Sequence, residues 1–376
     1  MKKVLVFAGT RPEAIKMAPV VMQLKKYPEK FAVHLCATGQ HEEMLRHSFA
    51  DFSLTPDSFL NVMSQGQNLA GLTSRLFAAL DITLEEYKPD IILVQGDTTS
   101  VLVASLCAFY RRIPVGHVEA GLRTGRMDNP FPEEMNRRVA GLVASWHFAP
   151  TNLARENLLK NSVAESSILV TGNTVVDALL FTCKQIEAAP PVLSARCEKL
   201  VESGQPYILV TSHRRENFGE GIHNTCKALL ELMKIRPDIA VVWPVHLNPQ
   251  VRQPVMQLLQ GVPNLYLEPP LPYRSFVRVM RSCKLILSDS GGIQEEGPSL
   301  GKYVLIMRET TERSEGIDAG VNKLVGTHPE TIVAETLAAL QKQSQSDNMS
   351  LLPNPYGDGL AAVRIVDFLG TVAINS

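Results

Sequence analysis

The chain has 376 residues, of which 45% are hydrophobic and 20% are charged, and its formal net charge is −1. This length allows two or three domains with sizeable cores, and the composition is that of a soluble globular protein. A net charge so close to zero provides no global field, so we expect neither nucleic acid nor a membrane as a partner, and local groups must hold any bound anion.

Nothing in the sequence predicts secretion or membrane insertion. The N-terminal stretch MKKVLVFAG has two lysines before an apolar run of about six residues, whereas a secretory signal needs roughly 7–15. No window approaches the roughly 18 apolar residues of a membrane span. Six cysteines are scattered without CxxC spacing, which favours buried free thiols in a reducing compartment. We therefore expect a cytoplasmic protein.

Short apolar runs alternate with helical patterns along most of the chain, which predicts an α/β fold with parallel sheets. The predicted strands of the first half are KVLVFAG, FAVHLCAT, DIILVQG, IPVGHVE, WHFAP and ILVTG, with helices at 12–26, 68–87 and 98–112. Those of the second half are YILVTSH, AVVWPVH, NLYLEP, KLILSDS and YVLIMRE, with helices near 220–235, 273–282, 292–300 and 329–343.

The pattern loosens between residues 171 and 206, where prolines and a Ser-Gly pair follow the helix-like segment VVDALLFTCKQIEAA. We interpret this segment as the join between two α/β domains. Polar residues follow the strand ends in both halves, and ligands of open parallel sheets bind at the carboxyl ends of the strands. The two edges, if they face each other, would form an interdomain cleft that holds a site.

Three carboxylates are candidates for acid–base chemistry at this edge. Asp97 follows a strand, although it is also suited to cap the next helix. Glu119 ends a strand between glycines that let a ligand approach closely. Glu133 begins a helix, where the helix dipole alone would favour an acid. Carboxylates that converge on one cleft raise the pKa of at least one member, which makes a general acid or base.

Cations and a histidine lie at the same predicted edge. In GTRPEAIKM, Thr10 and Glu13 have the spacing of a capping box, which leaves Arg11 and Lys16 available for an anion. His213, at a strand end before two arginines, is a candidate for phosphate contact or for proton transfer. No HExxH, Walker A or GxGxxG pattern occurs, so we expect no metal and no nicotinamide cofactor.

An ordered set of motifs resembles the non-hydrolysing UDP-N-acetylglucosamine 2-epimerases, essentially end to end. The motifs are GTRPEAIKMAP, QGDTT, PVGHVEAGLRTG, PEEMNRR, TGNTVVDAL, HRREN, PVHLNP, DSGGIQEE with SLGK, TTER and NPYGDG. The resemblance implies two Rossmann-like domains in a GT-B-type arrangement, with the active site in the interdomain cleft. It places the domains at 1–170 and 171–356, with a C-terminal helix, about 357–376, that returns to the first domain. It also implies a homodimer without a cofactor.

The resemblance further implies a reaction. Members of the family interconvert UDP-GlcNAc and UDP-ManNAc, which supplies ManNAc-type sugars for bacterial surface polysaccharides. UDP leaves by anti elimination to give 2-acetamidoglucal and adds again after C2 is protonated on the other face. The implied acid–base residues are Asp97, Glu119, Glu133 and His213, without an assignment to either face.

The resemblance also implies binding residues. Those matched for the UDP-sugar are Arg11, Lys16, Asp97, Glu119, His213, Phe276, Ser290, Gly291, Gly292, Glu296 and Arg313. In this interpretation the Ser290–Gly292 turn takes the diphosphate at a helix start, and Glu296 takes the ribose hydroxyls. A regulatory UDP-GlcNAc site found in some relatives is matched in part by Gln40, Arg214 and His246, whereas Glu43 and Gly66 depart from it.

Four alternatives remain at this point. A GT-B glycosyltransferase would not need three acids and a histidine, and a hydrolysing epimerase begins with a different turn from GTRPEAIK. A non-catalytic UDP-sugar sensor would keep the nucleotide-binding residues but could lose the acids. An epimerase that acts on a further-modified UDP-HexNAc would keep both sets.

Overall fold

The structure, a computed structural model, describes residues 1–38, 42–62, 66, 68–345 and 354–373, with the backbone alone of 343–345. The chain divides into two compact units. Unit 1 comprises Met1–Leu180 and the segment from Tyr356 onward, and unit 2 comprises Phe181–Pro355. The division lies downstream of the predicted limit at residue 170, inside the helix Thr174–Ala188.

Unit 1 contains a parallel sheet of seven strands with helices between them. Its strands are β1 (Lys2–Ala8), β2 (Phe31–Thr38), β3 (Ser58–Leu60), β4 (Ile91–Gln95), β5 (Val115–Val118), β6 (Trp146–Ala149) and β7 (Ile168–Val170). Its helices are α1 (Arg11–Leu24), α2 (Glu42–Ala50), α3 (Leu69–Tyr87), α4 (Thr99–Tyr110), α5 (Glu133–Val143), α6 (Asn152–Lys160) and α7 (Thr174–Ala188), with a 3₁₀ turn at Glu165–Ser167. The strand order is β3-β2-β1-β4-β5-β6-β7.

Unit 2 contains a second parallel sheet, of six strands. The strands are β8 (Tyr207–Thr211), β9 (Ala240–Pro244), β10 (Leu265–Glu268), β11 (Leu285–Ser288), β12 (Val304–Ile306) and β13 (Asn322–Leu324). The helices are α8 (Ala195–Ser203), α9 (Glu220–Ile235), α10 (Pro249–Leu259), α11 (Tyr273–Ser282), α12 (Gly291–Ser299), α13 (Glu315–Asp318) and α14 (Pro329–Gln345), with a 3₁₀ turn at Arg215–Asn217. The order β10-β9-β8-β11-β12-β13 is that of a Rossmann fold.

A last helix, α15 (Ala361–Thr371), belongs to unit 1 and is held at both ends. The Asp177 carboxylate accepts hydrogen bonds from the first two backbone N–H groups of α15, at 3.2 and 2.9 Å. Lys2 Nζ donates to the carbonyls of Leu369 and Val372 at the other end, both at 2.6 Å. An acid at the N-terminus and a cation at the C-terminus both oppose the helix dipole favourably.

The central strands of the sheets show where ligands can bind. Val4 to Ala8 of β1 and all of β4 are buried, as near-continuous apolar runs are when helices cover both faces of a parallel sheet. In unit 1 the strand order reverses between β1 and β4, and in unit 2 it reverses between β8 and β11. The carboxyl ends of these four strands therefore form the switch points at which such sheets bind ligands.

The prediction of an α/β protein with two Rossmann-like domains is confirmed, and each of the eleven predicted strands is present. The sequence interpretation missed the short edge strands β3 and β13 and the helices α2, α6, α8, α10 and α13. Within the part of the chain that the structure describes, no helix combines the length and apolar character that crossing a bilayer requires.

Candidate functional site

The turn after β1 is built around a buried glutamate. Glu13 accepts hydrogen bonds from the backbone N–H groups of Gly9 and Thr10, and the Thr10 hydroxyl accepts from Glu13 N, so the predicted capping box is confirmed. Thr98, at the end of the neighbouring β4 turn, donates its hydroxyl to the same carboxylate at 2.5 Å. Burial, opposed in part by these hydrogen bonds, raises the pKa of Glu13 to about 7.

Gly9 lies so close to neighbouring side chains that there is no room for a Cβ atom. A Cβ at this position would lie 2.5 Å from Ser100 Oγ and 2.8 Å from Thr38 Oγ1, closer than side chains tolerate. The turn that begins α1 is therefore packed directly on the turn that begins α4. Arg11, the first residue of α1, is half-buried beside it.

Glu119 lies at the end of β5 in a buried ion pair. Its carboxylate pairs with Lys16 of α1, and Asn173 Nδ2 donates to the same oxygen at 2.7 Å. The side chains of Lys16 and Glu119 are only 8% and 7% exposed, so water screens the pair weakly. Glu119 has a φ of +62°, and a non-glycine residue held in the left-handed region stores backbone strain of the kind found at functional sites.

Asp97 lies in the turn after β4, on the strand adjacent to β5. Its carboxylate pairs with Arg137 of α5, and Asn136 Nδ2 donates to its backbone carbonyl at 2.9 Å. The alternative that Asp97 caps the following helix is wrong, because Thr98 is the N-cap of α4 and accepts from Val101 N. The side chain of Asp97 remains 28% exposed, so it is accessible to a ligand.

Glu133 begins α5, as predicted, and is half-buried. The adjacent Glu134 is the acid that is fully buried. Glu134 accepts hydrogen bonds from Thr124 N at 3.1 Å and from Arg138 Nε at 3.0 Å, and Arg137 Nη1 lies 3.4 Å away. The structure thus joins Glu134, through Arg137, to Asp97.

Two buried histidines lie side by side on β5 and β6. His117 pairs in register with His147, and its Nε2 bonds the carbonyl of Gly96 at 2.7 Å. Burial lowers the pKa of His117 to about 4 and that of His147 to about 3, so both rings are neutral at pH 7. His117 therefore fixes the backbone of the turn that carries Asp97.

In unit 2, Asp289 organises the segment that follows β8. This fully buried carboxylate accepts hydrogen bonds from Ser212 Oγ at 2.7 Å, from the backbone N–H groups of His213 and Arg214 at about 3.0 Å, and from Asn217 Nδ2 at 3.0 Å. His213 Nδ1 lies 3.6 Å from Asp289 Oδ1. The ring of His213 stacks on His246, with ring centroids 5.8 Å apart.

The N-terminus of α12 follows β11 and lies beside two arginines. A Cβ on Gly291 would lie 2.8 Å from Arg313 Nη1 and 3.2 Å from Arg214 Nη2, so only glycine lets both guanidinium groups come this close. Ser290 is the N-cap of α12 and its side chain makes no capping hydrogen bond. A helix N-terminus beside two cations is suited to hold an anion.

Acids behind this site keep Arg313 in place. Arg313 pairs with Glu312 and donates from Nε to Glu295 at 2.7 Å, with all three side chains buried. Burial alone would raise the pKa of Glu312, but the charges of Arg313, Arg308 and Arg214 hold it well below its usual range. Glu295 thus holds Arg313 in position.

Glu296 lies one turn into α12, buried, and accepts a hydrogen bond from the buried Tyr273 hydroxyl at 2.7 Å. Phe276, one turn further along the helix that begins at Tyr273, is half-buried. Of the predicted regulatory residues, Arg214 lies in the segment after β8, His246 is exposed beside His213, and Gln40 lies outside the described residues.

The structure brings the predicted residues together in two groups. Unit 1 carries Arg11, Lys16, Asp97, Glu119 and Glu133, and unit 2 carries His213, Phe276, Ser290, Gly291, Gly292, Glu296 and Arg313. Sequence reasoning missed Asn173, Arg137, Tyr273 and Asp289 as members. Asn173, Arg137 and Asp289 lie within the motifs TGNTVVDAL, PEEMNRR and DSGGIQEE, and membership of these motifs is the sequence signal that could have found them. Among the described residues, no group of three or more His, Cys, Asp or Glu side chains is placed to hold a metal ion.

Comparisons with known proteins agree with this geometry. The model of the UDP-N-acetylglucosamine 2-epimerase family matches residues 22–370. The UDP-N-acetylglucosamine 2-epimerase of Escherichia coli (strain K12) is 50% identical over 369 residues, which cover 98% of each chain. A crystal structure of the Neisseria meningitidis UDP-GlcNAc 2-epimerase bound to UDP-GlcNAc has a TM-score of 0.91 at 45% identity, covering 98% of this chain and 99% of that one. The Methanocaldococcus jannaschii enzyme in complex with UDP-GlcNAc and UDP has a TM-score of 0.84 at 32% identity, with coverage of 98% and 99%. The chain therefore belongs to the UDP-N-acetylglucosamine 2-epimerase family, a family of isomerases.

Proposed function

We propose that this chain interconverts UDP-GlcNAc and UDP-ManNAc without hydrolysing the sugar nucleotide. A base removes the C2 proton, the C1–O bond to UDP breaks, and the electron pair forms the C1–C2 double bond of 2-acetamidoglucal. C2 is then protonated on the opposite face and a phosphate oxygen of UDP adds to C1. The epimerase names of the relatives, at up to 50% identity across the chain, support the activity.

The observation that carries the mechanism is the buried cluster of Glu119, Lys16 and Asn173. C2 of a hexose is a weak carbon acid, so its deprotonation needs a carboxylate held in one orientation and kept ionised. A buried lysine that pairs with Glu119 favours the ionised form, and Asn173 fixes the orientation. Asp97, in the turn after the adjacent strand β4, is a second carboxylate of the same unit and pairs with Arg137 of α5. Glu133 and His213 complete the proposed acid–base set.

The nucleotide-binding residues support UDP as the leaving group. The N-terminus of α12, with Arg313 and Arg214 beside Gly291, suits a diphosphate whose negative charge grows as the C1–O bond breaks. Glu296, oriented by Tyr273, suits the ribose hydroxyls. The three proposed carboxylates belong to unit 1, and the residues proposed for the diphosphate belong to unit 2.

Exchange at C2 tests the reaction directly. The purified protein is incubated with UDP-GlcNAc in deuterated water, and the products are followed by proton NMR and mass spectrometry. We expect UDP-ManNAc with deuterium at C2. Folded protein that gives neither exchange nor product would refute the proposed function.

The same assay separates the chemistry from binding. Glu119→Gln keeps the size of the side chain but removes the base, so exchange should fall at least 100-fold while the Kd for UDP stays within about threefold. Glu29→Gln, on the exposed surface, is the matched control and should exchange like the wild type. Equal exchange in the two variants would contradict the role of Glu119.

The alternatives make different predictions in the same assay. A glycosyltransferase or a non-catalytic UDP-sugar sensor would bind UDP without C2 exchange. An epimerase for a further-modified UDP-HexNAc would exchange its own substrate faster than UDP-GlcNAc, which a comparison of kcat/KM values reveals. In a bacterial host, the proposed product would enter the synthesis of surface polysaccharides that contain ManNAc-type sugars.

We also propose a homodimer formed through α3 and α4. Ile82, Phe109 and Tyr110 on these helices are 59%, 54% and 71% exposed, and grouped exposed apolar side chains are typical of protein–protein contact surfaces. Replacing Phe109 and Tyr110 by serine should shift sedimentation from dimer to monomer. A monomeric wild type, or a double variant that remains dimeric, would refute this arrangement.

A further inference from the structure

The fully buried carboxylate of Asp289 is surrounded by donors from a single segment. Its Oδ2 accepts from the Ser212 hydroxyl, from two consecutive backbone N–H groups and from the Asn217 amide. A carboxylate that accepts this many hydrogen bonds fixes the groups that donate them. Asp289 therefore sets the conformation of residues 212–217.

The other oxygen of Asp289 faces a titratable ring. Oδ1 lies 3.6 Å from His213 Nδ1 and also accepts from His213 N at 3.1 Å. Such a carboxylate favours a proton on the ring nitrogen that faces it, and a neutral imidazole with Nδ1–H has its lone pair on Nε2. The side chain of His213 is 41% exposed, so the ring is accessible from solvent.

We infer that Asp289 is a positioning residue for the reaction: it holds His213 in the Nδ1–H tautomer and leaves Nε2 as a proton acceptor. This inference rests on the proposed function, in which His213 belongs to the acid–base set. It also decides between the two roles that the sequence left open for His213. A ring whose outer nitrogen carries a lone pair accepts a proton or a hydrogen bond, and it does not donate to a phosphate.

Desolvation of the ring, together with two of its charged or titratable neighbours, keeps His213 neutral. Burial lowers the pKa of His213, the Asp289 charge raises it, and Arg214 and His246 lower it again, so that the pKa lies below its ordinary value. A histidine with this pKa is mostly uncharged at pH 7, and the position of its single proton then determines what it can do. Asp289 directly precedes Ser290, the N-cap of α12. It therefore connects His213 to the helix start that is proposed to hold the diphosphate.

Nitrogen-15 NMR of histidine rings reads the tautomer directly. In the wild-type protein labelled at histidine nitrogen, two-bond nitrogen–proton correlations at pH 8 should show Nδ1 of His213 as the protonated nitrogen. The His213 signal is identified by its loss in His213→Gln. A wild-type ring protonated at Nε2 would overturn the inference without any further variant.

Asp289→Asn tests the cause. With the amide oxygen toward the backbone donors, its NH₂ group faces His213, so the ring should change to the Nε2–H tautomer. The kcat for epimerisation should then fall by roughly 10²–10⁴-fold, with a smaller change in KM. The acid limb of the kcat/KM profile, where His213 protonates, should move to lower pH because a negative charge is lost. An unchanged tautomer in folded Asp289→Asn would overturn the inference.

Ser212→Ala is the matched control, because it removes one donor from Asp289 and leaves the carboxylate charge. Its His213 ring should keep the Nδ1–H tautomer, and a change to Nε2–H would show that hydrogen bonding of the segment, rather than the carboxylate, sets the proton. The tautomer measurement needs no turnover. Wild-type protein with Nδ1–H but no C2 exchange would therefore refute the proposed function while the pairing of Asp289 with His213 stands.

Discussion

The most direct consequence of the buried turn after β1 is that Glu13 makes the stability of unit 1 depend on pH. Glu13 is 3% exposed, and its pKa is raised to about 7 from 4.5. Below pH 4.5 the group is protonated in the folded and unfolded states, so its ionisation does not change the free energy of unfolding. Between pH 4.5 and 7 the unfolded chain loses its proton first, so the free energy of unfolding falls as the pH rises.

The size of the effect follows from the same two values. At about 1.4 kcal/mol for each pH unit, the difference between about 7 and 4.5 amounts to about 3 kcal/mol above pH 7. Glu13→Gln removes the ionisation and keeps the hydrogen bonds, since its amide oxygen accepts from Gly9 N and Thr10 N while its NH₂ group donates to the Thr98 hydroxyl. The stability of the variant relative to the wild type should therefore rise with pH, from a gain of about 1 kcal/mol at pH 5 to about 3 kcal/mol at pH 8.

The two tryptophans make the measurement specific. Trp146 lies in unit 1 and Trp243 lies in unit 2, so fluorine-19 NMR of protein labelled with 5-fluorotryptophan follows each unit separately during urea unfolding. The gain should be confined to the Trp146 signal. Glu29→Gln, on the surface, should show no pH-dependent difference. A Glu13→Gln difference that is the same at pH 5 and pH 8 would refute the reasoning.

Two further predictions concern unit 2. Gly291→Ala should displace Arg313 and Arg214 from the start of α12 and weaken UDP binding about 10- to 100-fold in calorimetry, because overpacking costs roughly 1–3 kcal/mol. Gly292→Ala, whose Cβ would lie 3.8 Å from Glu296 Oε2, should lose much less, and equal losses would contradict the argument. Tyr273→Phe removes a buried donor from Glu296, so it should lower the stability of unit 2 by about 1–3 kcal/mol and raise the Kd for UDP at least fivefold. An unchanged Kd for UDP would contradict the assignment of Glu296 to nucleotide binding.

The regular elements could be predicted because local sequence decides them. The runs VLVFA and IILVQ are apolar without interruption, as strands covered on both faces are, and β1 and β4 begin and end within a residue or two of the prediction. The capping box of α1 is likewise a pattern of neighbours. Helix α10 was missed because Pro254 lies inside it, a residue that ordinarily argues against a helix interior.

The partners of the site residues could not be predicted, because distance along the chain hides them. Lys16 looked like a cation free for an anion, yet it pairs with Glu119 from another element. Asp289 belongs to the motif DSGGIQEE, but the groups that donate to it, within residues 212–217, follow a different strand, β8. The raised pKa of Glu13 depends on burial in the folded unit, and its Thr98 partner comes from another turn, so no local pattern predicts either.

The return of α15 to unit 1 has a consequence for the order in which the protein is made. The chain leaves unit 1 within α7 and comes back at Tyr356, so unit 2 is one uninterrupted stretch of polypeptide. A ribosome that has added Pro355 has made all of unit 2, whereas Asp177 and Lys2 still lack the helix that they hold. Domains usually fold in the order of their synthesis. Here the unit that begins first is completed last.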